Sequence, residues 1–371
     1  MKPRLLRHLT LRVEPPGSDG EEVLVFTSAR RRVAMKGHSF REFAELVVPL
    51  LDGRLTLAEI QERVAGTFSG KDLGTCIDLL LRQQLLEDAD AADGPVALPE
   101  RLAPQIGYFR EIGGSAPQLQ QRLRDATVTI VGLGALGAVA AVSLAASGIG
   151  RIRCLEHRQV APTDPFLAQS FAVADVGRSR TDVVHERIVG VNPEAAVEAV
   201  GDALATDADV AHAISGSTLV LNCLDPGLAS LTYKVNRACL ERRVPCCFGE
   251  VTAFEGIVGP TVLPYESACY LCYQMRLVAC AEDPEDAFAA LKHLDSRQAD
   301  DGGVRENLAF CAGVVGNMMA LEAFKLLLGG RCSTIGSIQV IDFTRGASAK
   351  HVVLRKPWCP ACFPEPPAAS K

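Results

Sequence analysis

The segment TVTIVGLGALG, residues 127–137, joins a run of β-branched residues to three glycines, Gly132, Gly134 and Gly137. The residues that follow, up to Ala146, favour a helix. Strand, glycine turn and helix in this order are typical of the first unit of a Rossmann-like α/β domain. In such a unit the first glycine makes the tight turn, the second lets a phosphate approach the backbone, and the third lets helix and strand pack closely. The helix N-terminus would then offer free N–H groups to an anion.

The composition is that of an ordinary globular protein, with 371 residues, 48% hydrophobic and 22% charged. This length favours two domains, and the net charge of −6 argues against a general nucleic-acid binder. The first residues, MKPRLLRHLTLRVEPPG, lack the continuous apolar core of a signal peptide. The longest apolar stretches, 139–149 and 308–328, are too short or too interrupted to span a bilayer. We therefore expect a cytoplasmic protein without a membrane anchor.

Residues 1–92 are predicted to form one small α+β module. Its expected order is three strands and then three helices, over residues 9–13, 23–27, 31–35, 40–51, 56–68 and 69–86. Ser39, Thr56 and Ser69 are the expected helix N-caps, and Glu59 completes a capping box with Thr56. Residues 93–105 are rich in Ala, Asp and Pro, which is a composition typical of a linker.

From residue 106 to residue 371 predicted strands and helices alternate, as in an α/β domain. The expected strands cover residues 127–131, 152–155, 219–223, 246–249, 256–263, 337–343 and 351–354. The expected helices cover residues 138–146, 180–189, 228–242 and 305–328. The acidic segment 281–304 is predicted to be an irregular loop.

Four of the thirteen cysteines form two CxxC pairs, Cys269 with Cys272 and Cys359 with Cys362. Two such pairs in a protein from a reducing compartment indicate a tetrahedral zinc site with four thiolate ligands. Four thiolates leave no open position for catalysis, so the Zn²⁺ ion would be structural. Four buried thiols without metal, or a redox pair, are the alternatives.

Six features in order make residues 105–365 resemble the ThiF/MoeB superfamily, the fold of ubiquitin-activating enzymes. They are GYFREI (107–112), GLGALG (132–137), Glu156, the segment 174–193, NCLDP (222–226) and the paired CxxC motifs. The resemblance implies that Arg110 reaches phosphates, that Glu156 binds ribose and that Asp225 holds Mg²⁺ with the nucleotide. It places Arg180 where the family carries a lysine in the nucleotide site.

In that family a C-terminal carboxylate attacks the α-phosphate of ATP and gives an acyl-adenylate. This sequence departs from the family pattern at Arg158, Pro165, Ala168 and Pro226. Because lost contacts to developing charge reduce transition-state stabilisation, we predict a degenerate adenylation site that can still bind ATP and Mg²⁺. The alternatives are that the glycines serve packing alone, that Asp225 caps the following helix, and that Arg110 forms a surface or interface salt bridge.

The element order in residues 1–92, with DGRLTLAEI (52–60) between the first two helices, resembles the PqqD-like peptide-recognition element, a small winged-helix module. Such modules bind a leader peptide as an added strand beside their hairpin and against the third helix. The candidate groove lies between Arg31–Met35 and Lys71–Leu81, and its basic residues would suit an acidic leader. The residues predicted to contact the peptide are Arg31, Arg32, Val33, Met35, Lys71 and Ile77.

Both modules on one chain resemble the leader-binding, ThiF-like partners of YcaO-type cyclodehydratases, which act in thiazole/oxazole-modified peptide pathways. The resemblance implies a non-catalytic partner, forming a homodimer, that presents a ribosomally made precursor peptide to a YcaO-type enzyme. An active ATP-dependent adenylating peptide-maturation enzyme is the alternative. A general sulfur-carrier activator is a third possibility, against which the additional N-terminal module argues.

Overall fold

The computed structural model describes residues 1–6, 9–16, 20–28, 31–83, 85–90, 98–112, 115–225, 227–252, 254–293, 308 and 310–363. They divide into two compact units, Met1–Gln120 and Gln121–Lys371. Each unit has its own hydrophobic core. Of the predicted linker 93–105, residues 93–97 lie outside the described residues. In its second half a 3₁₀ turn covers Glu100–Gln105.

The N-terminal unit contains a three-stranded antiparallel sheet. Its strands are β2 (Thr10–Glu14), β3 (Glu22–Thr27) and β4 (Arg32–Gly37), and β3 is central. The three predicted strands are confirmed within one or two residues. A separate pairing joins β1 (Pro3–Leu5) to β5 (Leu86–Asp88).

Three helical segments complete the core of this unit. The first runs from α1 (Phe40–Glu42) through a π turn (Phe43–Val47) into a 3₁₀ turn (Val48–Leu50). The others are α2 (Leu57–Val64) and α3 (Gly70–Arg82). The buried residues recur at helical spacing, so each helix has one apolar face toward the core. They are Ile60 and Val64 on α2, and Leu73, Ile77 and Leu80 on α3.

All three predicted residues stand at the N-cap positions, and two of them cap with their side chains. Thr56 forms the capping box with Glu59, and Ser69 accepts a hydrogen bond from the Asp72 backbone N–H. Ser39 has a left-handed φ of 59° rather than an extended one, and its side chain makes no cap hydrogen bond. The third helix also ends earlier than predicted, because residues 86–88 pair with β1 instead.

The C-terminal unit is built on one eight-stranded sheet. Its strands are β6 (Thr127–Val131), β7 (Arg151–Leu155), β8 (Ala196–Val200), β9 (Leu219–Asn222), β10 (Cys246–Val251), β11 (Glu255–Val262), β12 (Ser337–Asp342) and β13 (Ala347–Val352). The order is β13-β12-β11-β10-β9-β6-β7-β8. The five strands from β10 to β8 are parallel, and the other three add antiparallel pairs. The predicted Rossmann-like α/β fold is confirmed.

The helices from residue 106 onward are α4 (Ile106–Glu111), α5 (Ala116–Asp125), α6 (Ala135–Ala146), α7 (Asp164–Leu167), α8 (Arg180–Val191), α9 (Asp207–Ala213), α10 (Ala229–Glu241), α11 (Tyr270–Ala279), α12 (Pro284–His293) and α13 (Cys311–Leu327). The segment 281–304 was predicted to be an irregular loop. This was wrong for residues 284–293, which form α12, and residues 294–304 lie outside the described residues. Sequence patterns also missed β8 and the helices α4, α5, α7, α9 and α11.

The sheet brings three functional segments to one edge. All five residues of β6 are buried, as expected of a central parallel strand covered on both faces. The glycine turn follows the carboxyl end of β6, Glu156 follows that of β7, and Asp225 lies three residues beyond β9. In open α/β sheets ligands bind outside the carboxyl ends of the strands, so this edge is where a site is expected.

Candidate functional site

The glycine turn after β6 has the tight geometry that its sequence predicts. Gly132 has a φ of 86°, which disfavours any side chain, and a Cβ there would lie 2.9 Å from the Cys223 carbonyl oxygen. A Cβ on Gly137 would overlap the Gly132 carbonyl oxygen. Gly134 is the N-cap of α6, and a Cβ there would overlap the carboxylate of Asp225. The turn, the helix N-terminus and Asp225 therefore form one compact group.

Glu156 is the buried centre of the network around this turn. Its Oε2 accepts from the Leu133 backbone N–H at 3.2 Å, which ties the glycine turn to β7. Its Oε1 accepts from the backbone N–H groups of His157 and Arg158 at 3.0 Å. Arg158 adds two side-chain bonds, Nε to Oε1 at 2.9 Å and Nη2 to Oε2 at 2.7 Å. With Arg180 Nη1 at 3.2 Å, both carboxylate oxygens are fully engaged.

These contacts set the charge of Glu156. Burial alone would raise its pKa, but the hydrogen bonds and charge of Arg158, with the charge of Arg180, lower that pKa to about 2. Burial would likewise lower the pKa of Arg158, but Glu156 and Asp225 raise it. Glu156 is therefore an anion, and Arg158 a cation, throughout the physiological range.

Arg180 and Asp164 form a second buried pair at the same site. Arg180 Nε donates to Asp164 Oδ2 at 2.9 Å and Arg180 Nη2 to Asp164 Oδ1 at 3.0 Å. Both residues are about 95% buried. Asp164 was not predicted as a site residue. The sequence could have indicated it, because Asp164 lies directly before Pro165 in the segment where the family motif is altered.

Asp225 is held by both arginines. Arg158 Nη1 lies 2.9 Å from Asp225 Oδ2, and Arg180 Nη1 lies 3.5 Å from the same oxygen. The described charges of the network are three carboxylates and two guanidiniums, so it is net negative and suited to a cation. Pro226 and the side chain of Arg110 lie outside the described residues. Ala168, where the family pattern has arginine, is buried and brings no charge to the site.

An open cleft of about 170 Å³ has Asp225 among its lining residues. Asn222 at the end of β9 and Gln274 on α11 line it, together with aromatic rings and Glu250. The rings of Phe248 and Tyr270 are stacked with centroids 4.5 Å apart. Sequence reasoning missed this cleft, although a polar residue at the carboxyl end of a parallel strand, here Asn222, was an available signal.

The four predicted zinc ligands come together as one buried cluster. Cys269 Sγ lies 3.8 Å from Cys272 Sγ and 3.7 Å from Cys359 Sγ, and Cys272 Sγ lies 3.6 Å from Cys362 Sγ. These distances are too long for disulfides. Four sulfurs around a tetrahedral zinc at about 2.3 Å would be about 3.8 Å apart. The cluster can therefore hold Zn²⁺, and the Lys356 backbone N–H donates to Cys272 Sγ as an outer partner.

In the N-terminal unit β4 lies at one edge of the three-stranded sheet. Its residues alternate, with Val33 and Met35 partly buried against the core and Arg32 exposed. Arg31 Nη2 donates to Gln83 Oε1 at 3.1 Å, so the start of β4 lies beside the end of α3. Lys71 is exposed near the start of α3, whereas Ile77 is fully buried in the core, so the prediction that its side chain contacts a peptide was wrong.

Within the described residues, no helix combines the length and the apolar composition needed to cross a membrane.

Residues 102–361 match the sequence profile of the ThiF family. The molybdopterin-synthase adenylyltransferase of Escherichia coli K12 is 29% identical over 245 residues, which is 66% of this chain and 89% of that protein. The structure of E. coli MccB with ATP matches with a TM-score of 0.74 at 18% identity, over 98% of this chain and 100% of that chain. The microcin C7 biosynthetic enzyme MccB in complex with N-formylated MccA matches with a TM-score of 0.75 at 19% identity, with the same coverage.

Proposed function

The chain belongs to the ThiF family, and from that premise we propose that it matures a ribosomally made precursor peptide by adenylating a carboxylate of that peptide. An adenylyltransferase is among the relatives. The similar structures of MccB, a biosynthetic enzyme, include one with ATP and one with N-formylated MccA. They match over both units of this chain, which supports a role for the N-terminal unit as well.

The position of Asp225 carries the proposal. Its carboxylate lies against Gly134 at the N-terminus of α6, and the same residue lines the open cleft. A nucleotide on the glycine turn and a peptide carboxylate in the cleft would therefore meet beside Asp225. Bringing two reactants together in this way is a large part of catalysis for a reaction between them.

In the reaction a peptide carboxylate oxygen attacks the α-phosphorus of ATP, an acyl-adenylate forms, and pyrophosphate leaves. The free N–H groups at the start of α6 face the phosphates. Arg158 and Arg180 exchange their contact with Asp225 for contacts with the phosphates. Asp225 is then available to hold Mg²⁺, which neutralises charge on the phosphoryl oxygens when bound.

We also propose that the N-terminal unit binds the leader of the precursor as a strand added to β4. An edge strand offers unpaired main-chain groups to such a peptide. Val33 and Met35 form the apolar side of the groove, and Arg32 and Lys71 provide positive charge at its border. Ile77 contributes from beneath as a core residue.

ATP–pyrophosphate exchange tests the proposal. The full chain is mixed with labelled pyrophosphate and a short precursor peptide encoded beside its gene. We expect exchange that requires both ATP and peptide, and a loss of at least about 100-fold in Asp225→Asn, since the carboxylate would hold the Mg²⁺ that stabilises charge in the transition state. Asp207→Asn is the matched control, because Asp207 pairs with Arg237 at the surface. Peptide binding without exchange would contradict the proposal.

A second candidate is the non-catalytic partner of a YcaO-type cyclodehydratase, possessing the same leader-binding groove. The observation that favours it is the saturation of Glu156 by arginine, because that carboxylate is then not free for the ribose of ATP. This candidate predicts no exchange, but faster ring formation by a YcaO-type enzyme when the chain is added to the same peptide.

A further inference from the structure

One face of the C-terminal sheet is open beside the cleft. Residues that stand directly opposite one another in an antiparallel pair lie on the same face of the sheet. The pairing therefore sets four residues, one from each strand from β10 to β13, in a row on one face. They are Glu250, Ile257, Val340 and Ala349. Glu250 and Ile257 also line the cleft, so the row leads from the cleft to the last strand of the sheet.

The two faces of this part of the sheet differ in how they are covered. On the other face α13 packs closely, because a Cβ on Gly256 would overlap the side chain of Val315. On the face with the row, the two middle residues are partly exposed and the two end residues are exposed. Leu277 of α11, which also lines the cleft, is 51% exposed. Apolar surface is thus available to a partner that enters the cleft.

Two carboxylates give this face its charge. Glu255 lies two residues before Ile257, and alternate residues of a strand share a face. Burial, together with the charges of Glu250 and Glu255, raises the pKa of Tyr273 to about 12, so both carboxylates lie near this ring of the cleft. Within the described residues neither glutamate side chain has an ion-pair partner. The row and Glu255 together form the open sheet face.

The surroundings leave this negative charge uncompensated. Asp342, which stands opposite Glu255, is paired with Arg345 at 3.7 Å and adds no net charge. No lysine or arginine is among the described residues that line the cleft. An apolar surface with unpaired carboxylates is complementary to a chain that carries apolar and basic side chains.

We propose that the open sheet face docks the substrate residues that precede the reacting carboxylate and selects basic and apolar side chains among them. This inference rests on the proposed function, because that function places the reacting carboxylate beside Asp225. Three strand spacings of about 4.8 Å separate β10 from β13, a distance that about four extended residues span. The selection therefore acts on about the last five residues of the substrate, which neither the family nor the glycine turn determines.

Fluorescence anisotropy with the full chain and no ATP tests this surface independently of catalysis. The probes are three labelled hexapeptides, Gly-Val-X-Val-X-Gly, in which both X positions are lysine, glutamine or glutamate. At about 0.05 M salt exposed charges are little screened. We expect the lysine peptide to bind about fivefold tighter than the glutamine peptide, and the glutamate peptide to bind weakest.

Glu250→Gln combined with Glu255→Gln should remove most of this preference. Glu241→Gln combined with Glu266→Gln is the matched control, because both residues are exposed and neither lines the cleft. Equal binding of the three peptides to the unaltered chain, or a lysine preference that survives in the folded Glu250 and Glu255 variant, would overturn the inference. A lysine preference without pyrophosphate exchange would support the docking surface and contradict the adenylation proposal.

A second pair of variants locates the bound peptide. Ala349→Arg puts a positive charge on the open sheet face and should weaken binding of the lysine peptide about fivefold. Ser348→Arg is the matched control, because Ser348 is exposed and stands opposite Ile341 on the other face. Equal peptide binding by the two variants would overturn the inference. So would a change of oligomeric state in Ala349→Arg without an effect on peptide binding, which would assign the face to a second copy of the chain.

Discussion

Glu156 receives six hydrogen bonds on two carboxylate oxygens, three from backbone N–H groups and three from guanidinium nitrogens. A carboxylate has about four lone-pair sites, so no further donor fits well. The residue therefore acts first as an anchor, joining the glycine turn to β7 and to the two buried arginines.

Removing this charge should destabilise the fold in a pH-dependent way. The pKa of Glu156 is about 2 in the folded protein against an ordinary 4.5. Its stabilisation is therefore complete above about pH 4.5 and is lost as pH falls toward 2. We expect Glu156→Gln to lower the free energy of unfolding by about 3 kcal/mol at pH 7.

Urea denaturation at pH 7 and pH 4 measures this effect, and the difference between the two proteins should narrow by about 1 kcal/mol at the lower pH. Glu198→Gln is the control, because the exposed pair of Glu198 with Arg153 is expected to contribute less than about 1 kcal/mol. A constant difference across this pH range would show that Glu156 is not a buried anion.

At the scale of elements, α6 and α13 pack closely against each other. A Cβ on Gly316 of α13 would lie 2.8 Å from the Leu136 carbonyl oxygen and 3.2 Å from Val139 Cβ. The two backbones thus approach closely, and α6 carries the N-terminus that faces the nucleotide site. Gly313 lies one turn earlier on α13, and in the described part of the chain no atom beyond its neighbours and its own helix backbone lies within 4 Å of its Cβ position.

This pair of glycines gives a matched test. Gly316→Ala should destabilise the protein by about 1–3 kcal/mol, because one helix must move away from the other. Gly313→Ala should stabilise it by up to about 1 kcal/mol, since alanine is the better helix former. Both are measured by urea denaturation, and equal effects would contradict the close helix contact.

The elements that sequence reasoning found are those with a strong local pattern. β6 and the glycine turn were predicted to the residue because β-branched runs and glycines act locally. The sequence did not reveal α11. The side chains of Tyr270, Cys272 and Gln274 on this helix contact the cleft and the cysteine cluster, so the helix lacks the pattern of one apolar and one polar face. It also did not reveal the pairing of β5 with β1, which joins residues more than eighty positions apart.

The candidate site followed the same division. The cysteines and Asp225 were found because motif spacing marks them. The joining of Arg158, Arg180 and Asp164 into one network depends on the segment after β7 meeting the first residues of α7 and α8, so no local pattern contains it. The homodimer, the YcaO-type partner and the phosphate contact of Arg110 stay predictions.

At the scale of the whole molecule, the cysteine cluster joins α11 to the end of the described chain. Replacing Cys359 and Cys362 with serine together should remove bound zinc, about one ion per chain, and lower the melting temperature by about 10 °C. Elemental analysis and thermal denaturation measure the two effects. Cys280→Ser is the control, because Cys280 is exposed and outside the cluster. Unchanged zinc content in the double variant would disprove the assignment.

The hydrogen bonds from Arg158 to both oxygens of Glu156 have a consequence for the selectivity between ribose and deoxyribose in the nucleotide. If that carboxylate has no capacity left for a hydroxyl donor, the chain should hardly distinguish ATP from 2′-deoxy-ATP, with a ratio of dissociation constants near one. Arg158→Ala removes two of the six donors but leaves four, which fill the lone-pair sites of the carboxylate, so the ratio should stay near one in this variant as well. A strong preference for ATP over 2′-deoxy-ATP in the unaltered chain would mean that the Arg158 side chain leaves Glu156 when the nucleotide binds.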